Sequence, residues 1–299
     1  MQRTAVVGTA PKIMATLAAY WRLTKPRVIE LLLVTTVPAM VLADEAIPSL
    51  GLIVAVLLGG AMAAGGANTI NCWIERDRDQ LMRRTHNRPL PAGLVEPIHA
   101  LVFGIALEVA AFVWLTATVN LLSASLAVSA MLFYVFVYTI WLKPRSPQNI
   151  VIGGAAGAVP ALVGWAAVTG SLSLSAWFLF AIVFFWTPPH FWALALRYHD
   201  DYAAASIPML PVVKGTAVAT RNILGYSVVV VALTVALMPV ADLGVVYLAV
   251  ALVLGAALVI EAVRLMRDPS RALSFFKFSN AYLAVLFVAV AADVLIRSV

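Results

Sequence analysis

Apolar residues fill this chain in blocks too long for a soluble core, and the polar residues gather between them. A helix needs roughly 20 predominantly apolar residues to cross the hydrocarbon of a bilayer. Nine stretches reach or approach that length: 28–43, 48–70, 98–117, 121–141, 149–168, 174–195, 222–240, 244–263 and 279–297. The pattern predicts an all-α fold, a polytopic membrane helical bundle of nine transmembrane helices forming one domain over 1–299.

Composition points the same way, at 63% hydrophobic and 11% charged residues with a mean hydropathy of +0.98. Soluble domains carry about 25% charged residues. The opening residues are mixed and basic, without a compact apolar core and a small-residue cleavage site, so no cleaved signal is predicted. A single cysteine, Cys72, excludes an internal disulfide and a paired-cysteine metal site.

Charge fixes the expected orientation. Arg3, Lys12, Arg22, Lys25 and Arg27 precede the first span, and Arg76, Arg78, Arg83, Arg84 and Arg88 follow the second. Lys143 and Arg145 follow the fourth; Arg197, Lys214 and Arg221 lie around the connection from sixth to seventh; Arg264, Arg267, Arg271 and Lys277 follow the eighth. Nineteen of the twenty Lys and Arg thus share one side, and the opposite loops hold Asp44, Glu45 and Asp242. Basic loops stay in the cytoplasm. This predicts a cytoplasmic N-terminus, a C-terminus outside and a multi-pass protein of the cell membrane. The net charge of +6 follows from this bias and implies no nucleic acid partner.

Two connections on the basic side, 71–97 and 197–221, are long, and each carries acids. Four spans separate them. The layout suggests two four-helix pseudo-repeats, about 20–141 and 149–263, with a ninth helix added. Long loops in compact bundles are commonly functional.

In the first, Asn71, Glu75 and Asp79 recur every four residues. Each such step turns a helix by about 400° and rises about 6 Å, so the three side chains form one stripe of oxygen atoms. Magnesium takes oxygen ligands and bridges carboxylates to phosphates, a task that suits such a stripe. Asp77 points away from it. Arg83, Arg84 and Arg88 follow, and guanidinium forks bind phosphate oxygens. Metal-binding acids followed by arginines make a candidate diphosphate site. The ordinary alternative is a helix end with solvated ion pairs. The second acidic stretch, with Asp200 and Asp201 on the same face, argues against it, since two facing acidic clusters repel without a cation between them.

The string N-x-x-x-E-x-x-x-D followed by "RRTHNRPLP" resembles the intramembrane prenyltransferase superfamily, whose signature is N-x-x-x-D-x-x-x-D. "YTIWLKPRSPQNIVIGGAAGAVPALVGW", "TPPHFWALALRYHDDY" and "AASIPMLPVVKG" resemble its haem-modifying branch, the protohaem IX farnesyltransferases, over nearly the whole chain. The resemblance implies that farnesyl diphosphate ionises and that its farnesyl group joins a vinyl group of haem B, giving haem O and diphosphate. It implies Mg2+ as cofactor, held by Asn71, Glu75 and Asp79, and a cytoplasmic-side site. Asp200 and Asp201 stand where the superfamily has D-x-x-x-D; Leu196 occupies the position four before Asp200, and which acid binds metal stays open. Lys25, Arg84, Arg88 and Lys143 are the candidate diphosphate partners. His190, Trp192 and Tyr198 are candidate acceptor contacts. Partners implied are farnesyl diphosphate, haem B, the lipid bilayer, and haem A synthase or a terminal oxidase. The competing readings are a prenyltransferase for aromatic or quinone precursors, a membrane transporter, and an oxidase assembly factor. Glu30 and Glu108, acids inside predicted spans, are further candidates, each expected near enough to a helix end to be solvated. The glycines within spans are expected to serve packing.

Overall fold

The computed structural model describes residues 9–298, with the backbone alone at 9–12, 27–28 and 30–33. The described residues form helices and no strand. The helices run α1 Thr9–Leu23, α2 Pro26–Asp44, α3 Leu50–Asp79, α4 Pro97–Thr118, α5 Leu121–Leu132, α6 Asn149–Thr169, α7 Leu174–Arg197, α8 His199–Ala204, α9 Leu210–Val240, α10 Val245–Arg267 and α11 Ala272–Arg297. Among the described residues eight helical segments are long and apolar enough to cross a membrane, and a shorter apolar run, Val34–Asp44, lies in α2. The protein is a multi-pass membrane protein.

Three departures from the sequence pattern bear on the site. First, α3 runs past the predicted span end at 70 to Asp79, into the 71–97 connection, as the helical period of Asn71, Glu75 and Asp79 requires. Second, α5 continues as a π-helix from Phe133 to Leu142. Third, α9 begins at Leu210, well before the predicted span at 222. Gly215, at φ 79°, breaks it into two pieces. A positive φ costs glycine nothing, and the sequence supplies one there.

The two ends of the bundle are built differently. At the end away from the basic residues the connections are short and the helices are capped locally. Ser49 accepts from Leu52 N at 3.3 Å, and Asn120 from Ser123 N at 2.8 Å. Such caps satisfy the unpaired amides of a first turn. Asp293 of α11 does this for α10, accepting from Gly244 N at 2.6 Å and Tyr247 N at 3.0 Å. At the other end lie the long connections and most of the charge.

Within the bundle, α6 and α7 are the most enclosed, with 61% of each apolar stretch buried, against 22% for the α5 segment. They are the central staves, and α4, α5, α9 and α10 turn much of their surface outward. Lipid supplies no hydrophobic drive between helices, so close backbone approach matters. Gly153 of α6 leaves the space that the Tyr138 ring occupies. Gly66 lets α3 approach Glu108 of α4, where a Cβ would lie 2.8 Å from a carboxyl oxygen. Glu108 is buried in the middle of α4 with neither carboxyl oxygen hydrogen-bonded, which corrects the expectation that it is solvated. The Glu30 side chain lies outside the described residues.

Candidate active site

The last turns of α3 carry the oxygen stripe. Asn71, Glu75 and Asp79 are buried, at 1%, 3% and 3% exposure, and burial of carboxylates demands partners. Each has one cation. Lys25, between α1 and α2, donates to Asn71 Oδ1 at 2.6 Å. Lys143, just past the π-helix, makes an ion pair with Glu75 Oε1. Arg88 Nη1 reaches Asp79 Oδ1 at 2.9 Å and Oδ2 at 2.7 Å. Asn71 Nδ2 donates to Thr139 Oγ1 at 3.0 Å.

The turn after α3 is folded back so that Arg88 can reach Asp79. Thr85 Oγ1 donates to Asp79 O at 3.0 Å, and Arg22 Nη2 donates to Asn87 O at 2.6 Å. α1 thus holds the loop from the far side, through Leu23 and Ala19 packed with Cys72, Leu90 and Val95. Cys72 is a packing residue here. Asp77 points outward to Arg76, at 3.8 Å.

The electrostatics follow from the pairing. Burial pulls the Lys143 ammonium down, but the Glu75 carboxylate outweighs it and holds the pKa above the usual lysine range, with Tyr138 and Tyr202 adding to the effect. Burial likewise acts against Arg88, and Asp79 overcomes it, raising the guanidinium further. Lys25 differs, because its partner is a neutral amide. Burial lowers its pKa, and neighbouring Arg88 and Lys143 deepen the depression while Glu75 relieves it in part. Three cations face two carboxylates, so the cluster is short of negative charge.

The second acidic stretch reaches the same place. Asp201 Oδ2 accepts from Arg84 N at 3.1 Å, across 117 positions of sequence. The Tyr198 ring lies under two guanidiniums, Arg84 at 5.5 Å and Arg197 at 5.7 Å. Tyr202, the buried residue of α8, is within electrostatic reach of Lys143. Asp200 is the exception among these residues. Its carboxylate is fully exposed and meets only His199 Nδ1, at 3.1 Å.

His190 and Trp192 lie deeper, on α7. Pro188 and Pro189 just before them leave α7 without two amide donors. The His190 ring is stacked between Trp186 and Phe276, each centroid at 4.3 Å. Its Nδ1 is 2.8 Å from Ser279 Oγ, and that hydroxyl donates to Phe276 O at 2.9 Å. The hydroxyl proton is therefore committed, so Nδ1 carries the ring's hydrogen and Nε2 holds the lone pair. Trp192 is buried edge-on to Tyr226 at 5.3 Å, and its Nε1 lacks a partner. Neither side chain is hydrogen-bonded to the stripe. Sequence reasoning missed Thr139, Tyr138 and Tyr202. Thr139 stands four residues before Lys143, a helical spacing that pairs them, but the π-helix that turns both towards α3 has no sequence signal of its own.

Among the described residues no group of three His, Cys, Asp or Glu gathers closely enough to hold a metal by itself. The donors that do line up are hard oxygens, Asn71, Glu75 and Asp79, with Asp201 held nearby by the Arg84 amide. That set fits magnesium shared with phosphate oxygens, and it does not fit a closed cage for zinc or calcium.

The UbiA prenyltransferase family profile matches residues 32–289. A protein of Frankia alni named Protoheme IX farnesyltransferase is 55% identical over 282 residues, covering 93% of this chain and 98% of that one. One of the same name from Nostoc is 51% identical over 279 residues, covering 92% of this chain and 88% of that one. Among solved structures, a digeranylgeranylglyceryl phosphate synthase superposes with a TM-score of 0.76 at 17% identity, covering 93% and 98% of the two chains. A UbiA homologue from Archaeoglobus fulgidus bound to GPP and Mg2+ does so with a TM-score of 0.64 at 19% identity, covering 92% and 99%. The structural likenesses speak for the fold alone. On the profile match and on relatives more than half identical across nearly its whole length, the chain belongs to the UbiA prenyltransferase family.

Proposed function

We propose that the cluster at the end of α3 binds farnesyl diphosphate and that the chain transfers its farnesyl group to a vinyl group of protohaem IX, giving haem O and diphosphate. The observation that carries this is the pairing of each residue of the stripe with its own cation, three cations for two carboxylates. Such a set is primed to exchange partners. Lys25, Lys143 and Arg88, joined by Arg84, turn to diphosphate oxygens, and Asn71, Glu75, Asp79 and Asp201 are released to hold magnesium. The names of the curated relatives support farnesyl diphosphate and haem as substrates, and the Archaeoglobus fulgidus homologue with GPP and Mg2+ supports the metal.

The chemistry is charge separation. The bond from the allylic carbon to the diphosphate oxygen breaks, and the electron pair leaves with diphosphate. Magnesium, when bound, neutralises charge developing there. The chain's own fixed cations do the same in a partly desolvated pocket, where such interactions are strong. The allylic cation bonds to the vinyl terminus, water adds to the adjacent carbon, and a proton is released. Apolar and aromatic walls keep water from the cation until that bond has formed. His190 offers its Nε2 lone pair to the haem iron, and Tyr198 and Trp192 offer ring faces to the porphyrin.

In this reading α2 is the ninth span. The N-terminus is cytoplasmic and the C-terminus outside the cell membrane, as the distribution of basic residues indicates. The site opens at the cytoplasmic rim between two four-helix pseudo-repeats, and haem O passes on to haem A synthase or a terminal oxidase. The test is expression in cells lacking haem O, followed by chromatography of extracted haems. A farnesylated haem, absent with Glu75→Gln, is expected. Prenylation of 4-hydroxybenzoate with haem B left unmodified overturns the assignment.

A further inference from the structure

We propose that Thr139 is a positioning residue that fixes which way the Asn71 carboxamide faces, and so sets its oxygen as a metal ligand; this rests on the magnesium-diphosphate reading above. The argument is one of donors and acceptors. Thr139 Oγ1 has a single proton, and it is given to Tyr134 O at 2.8 Å. Towards Asn71 it presents only a lone pair, and Asn71 Nδ2 donates to it at 3.0 Å. The amide nitrogen is thereby held on the Thr139 side, and Oδ1 is turned to the Lys25 ammonium at 2.6 Å. A flipped carboxamide would set oxygen against a lone pair at one end and its NH2 against an ammonium at the other, losing both bonds.

The π-helix makes this arrangement. Thr69, Thr187 and Thr234, in regular α-helix, reach back four residues, to Gly65 O, Val183 O and Val230 O. Thr139 reaches back five, to Tyr134 O, in the wider turn of Phe133–Leu142. The extra residue in that turn brings Thr139 round to face α3, close above Lys143, which pairs with Glu75 one turn further along the stripe. π-turns of this kind recur at functional sites. Thr139 is fully buried and meets the proposed metal only through Asn71.

Partners that orient a metal ligand typically carry about 10- to 100-fold in metal affinity. The probe is Mn2+ binding by purified full-length protein in detergent, followed by electron paramagnetic resonance in the presence of inorganic pyrophosphate. Thr139→Val keeps the shape and removes the acceptor; about tenfold or greater weakening is expected, with Thr139→Ser close to the parent. In an Asn71→Ala background, Thr139→Val is expected to add nothing, since the two act through one group. Should Thr139→Val not fold, Thr139→Ala and Thr139→Ser carry the same comparison. If Asn71→Ala weakens Mn2+ binding but the Thr139 variants bind as the parent does, the positioning role is wrong and the site reading stands. If Asn71→Ala itself leaves Mn2+ binding unchanged, the site reading falls and takes this proposal with it.

Discussion

The acids at the end of α3 and those on α8 arrive at the same face of the bundle in opposite physical states. Glu75 and Asp79 are sealed in, each with a cation from another part of the chain. Asp200 stands in solvent beside His199, and Asp201 is held by a backbone amide. The difference follows from desolvation. A carboxylate taken out of water needs a full counter-charge, so the α3 stripe comes with Lys143 and Arg88 already in place. An acid on a six-residue helix at the rim stays hydrated and needs none. We read the α3 stripe as the built half of the site and α8 as the adjustable half, held to it by Arg84 and Tyr198.

The contrast breaks most sharply at Glu75. In Glu75→Gln the Lys143 ammonium is left buried without its carboxylate, and removing one partner of a buried pair costs about 3–5 kcal/mol. Farnesyl transfer is expected to fall on the order of 10³-fold. Lys143 itself makes the stability effect legible against pH. Its folded pKa lies above the ordinary value of 10.5, so the pair's contribution is fully present below that value and is lost as pH rises through the folded pKa. Thermal melts at neutral pH therefore report the whole loss for Glu75→Gln. Parent-like melting and activity in this variant would end the idea of a built half.

Asp201→Asn is the matching change on α8. It removes charge without exposing a buried cation, so melting is expected to stay near that of the parent. Transfer is expected to fall by about 10- to 100-fold, the usual cost of disturbing a partner at a metal site. A large loss of stability here would mean that α8 is structural in the same sense as α3.

Lys25 sharpens the comparison from the cation side. It is the one cation of the three without a carboxylate, and its pKa is lowered from 10.5 by burial. Between the folded and unfolded values the unfolded chain binds more protons, so in that window this residue's contribution makes stability rise with pH. A diphosphate placed beside it favours the charged form. Pyrophosphate binding at alkaline pH is therefore expected to take up protons, measured by calorimetry in buffers of different ionisation enthalpy. Lys25→Met is expected to lose that uptake; equal uptake in both proteins would assign the proton elsewhere.

Most of the fold was legible because lipid makes its demands in sequence. The long apolar stretches of α3 to α7 and α9 to α11 are written as composition, and Asn71, Glu75 and Asp79 as a four-residue period on a helix. What escaped depends on irregular backbone or on partners distant in sequence. The π-helix of Phe133–Leu142 looks like any apolar run, yet it decides where Thr139 faces. The break at Gly215 divided a helix that a hydropathy count begins at 222. Glu108 read as an acid near a helix end, and only the approach of α3 at Gly66 encloses it. The choice between Asp200 and Asp201 could not be read from two adjacent identical residues. Our proposal of Asp201 rests on its contact with Arg84 N, a backbone group that carries no sequence signal.

That choice gives the smallest effect and the cleanest contrast. Asp200→Asn alters a side chain surrounded by water, with only the half-exposed His199 beside it. Exposed pairs of this kind contribute little because water and salt screen them. Haem O formation and melting are both expected to stay within about twofold and about 1 °C of the parent, as for surface changes in general. The neighbouring Asp201→Asn, identical in chemistry and one residue away, is expected to differ by an order of magnitude or more. If Asp200→Asn instead proves the more damaging of the two, α8 must rotate on binding substrate so that its outward carboxylate turns in. The adjustable half of the site would then be a moving part, and Arg84 its latch.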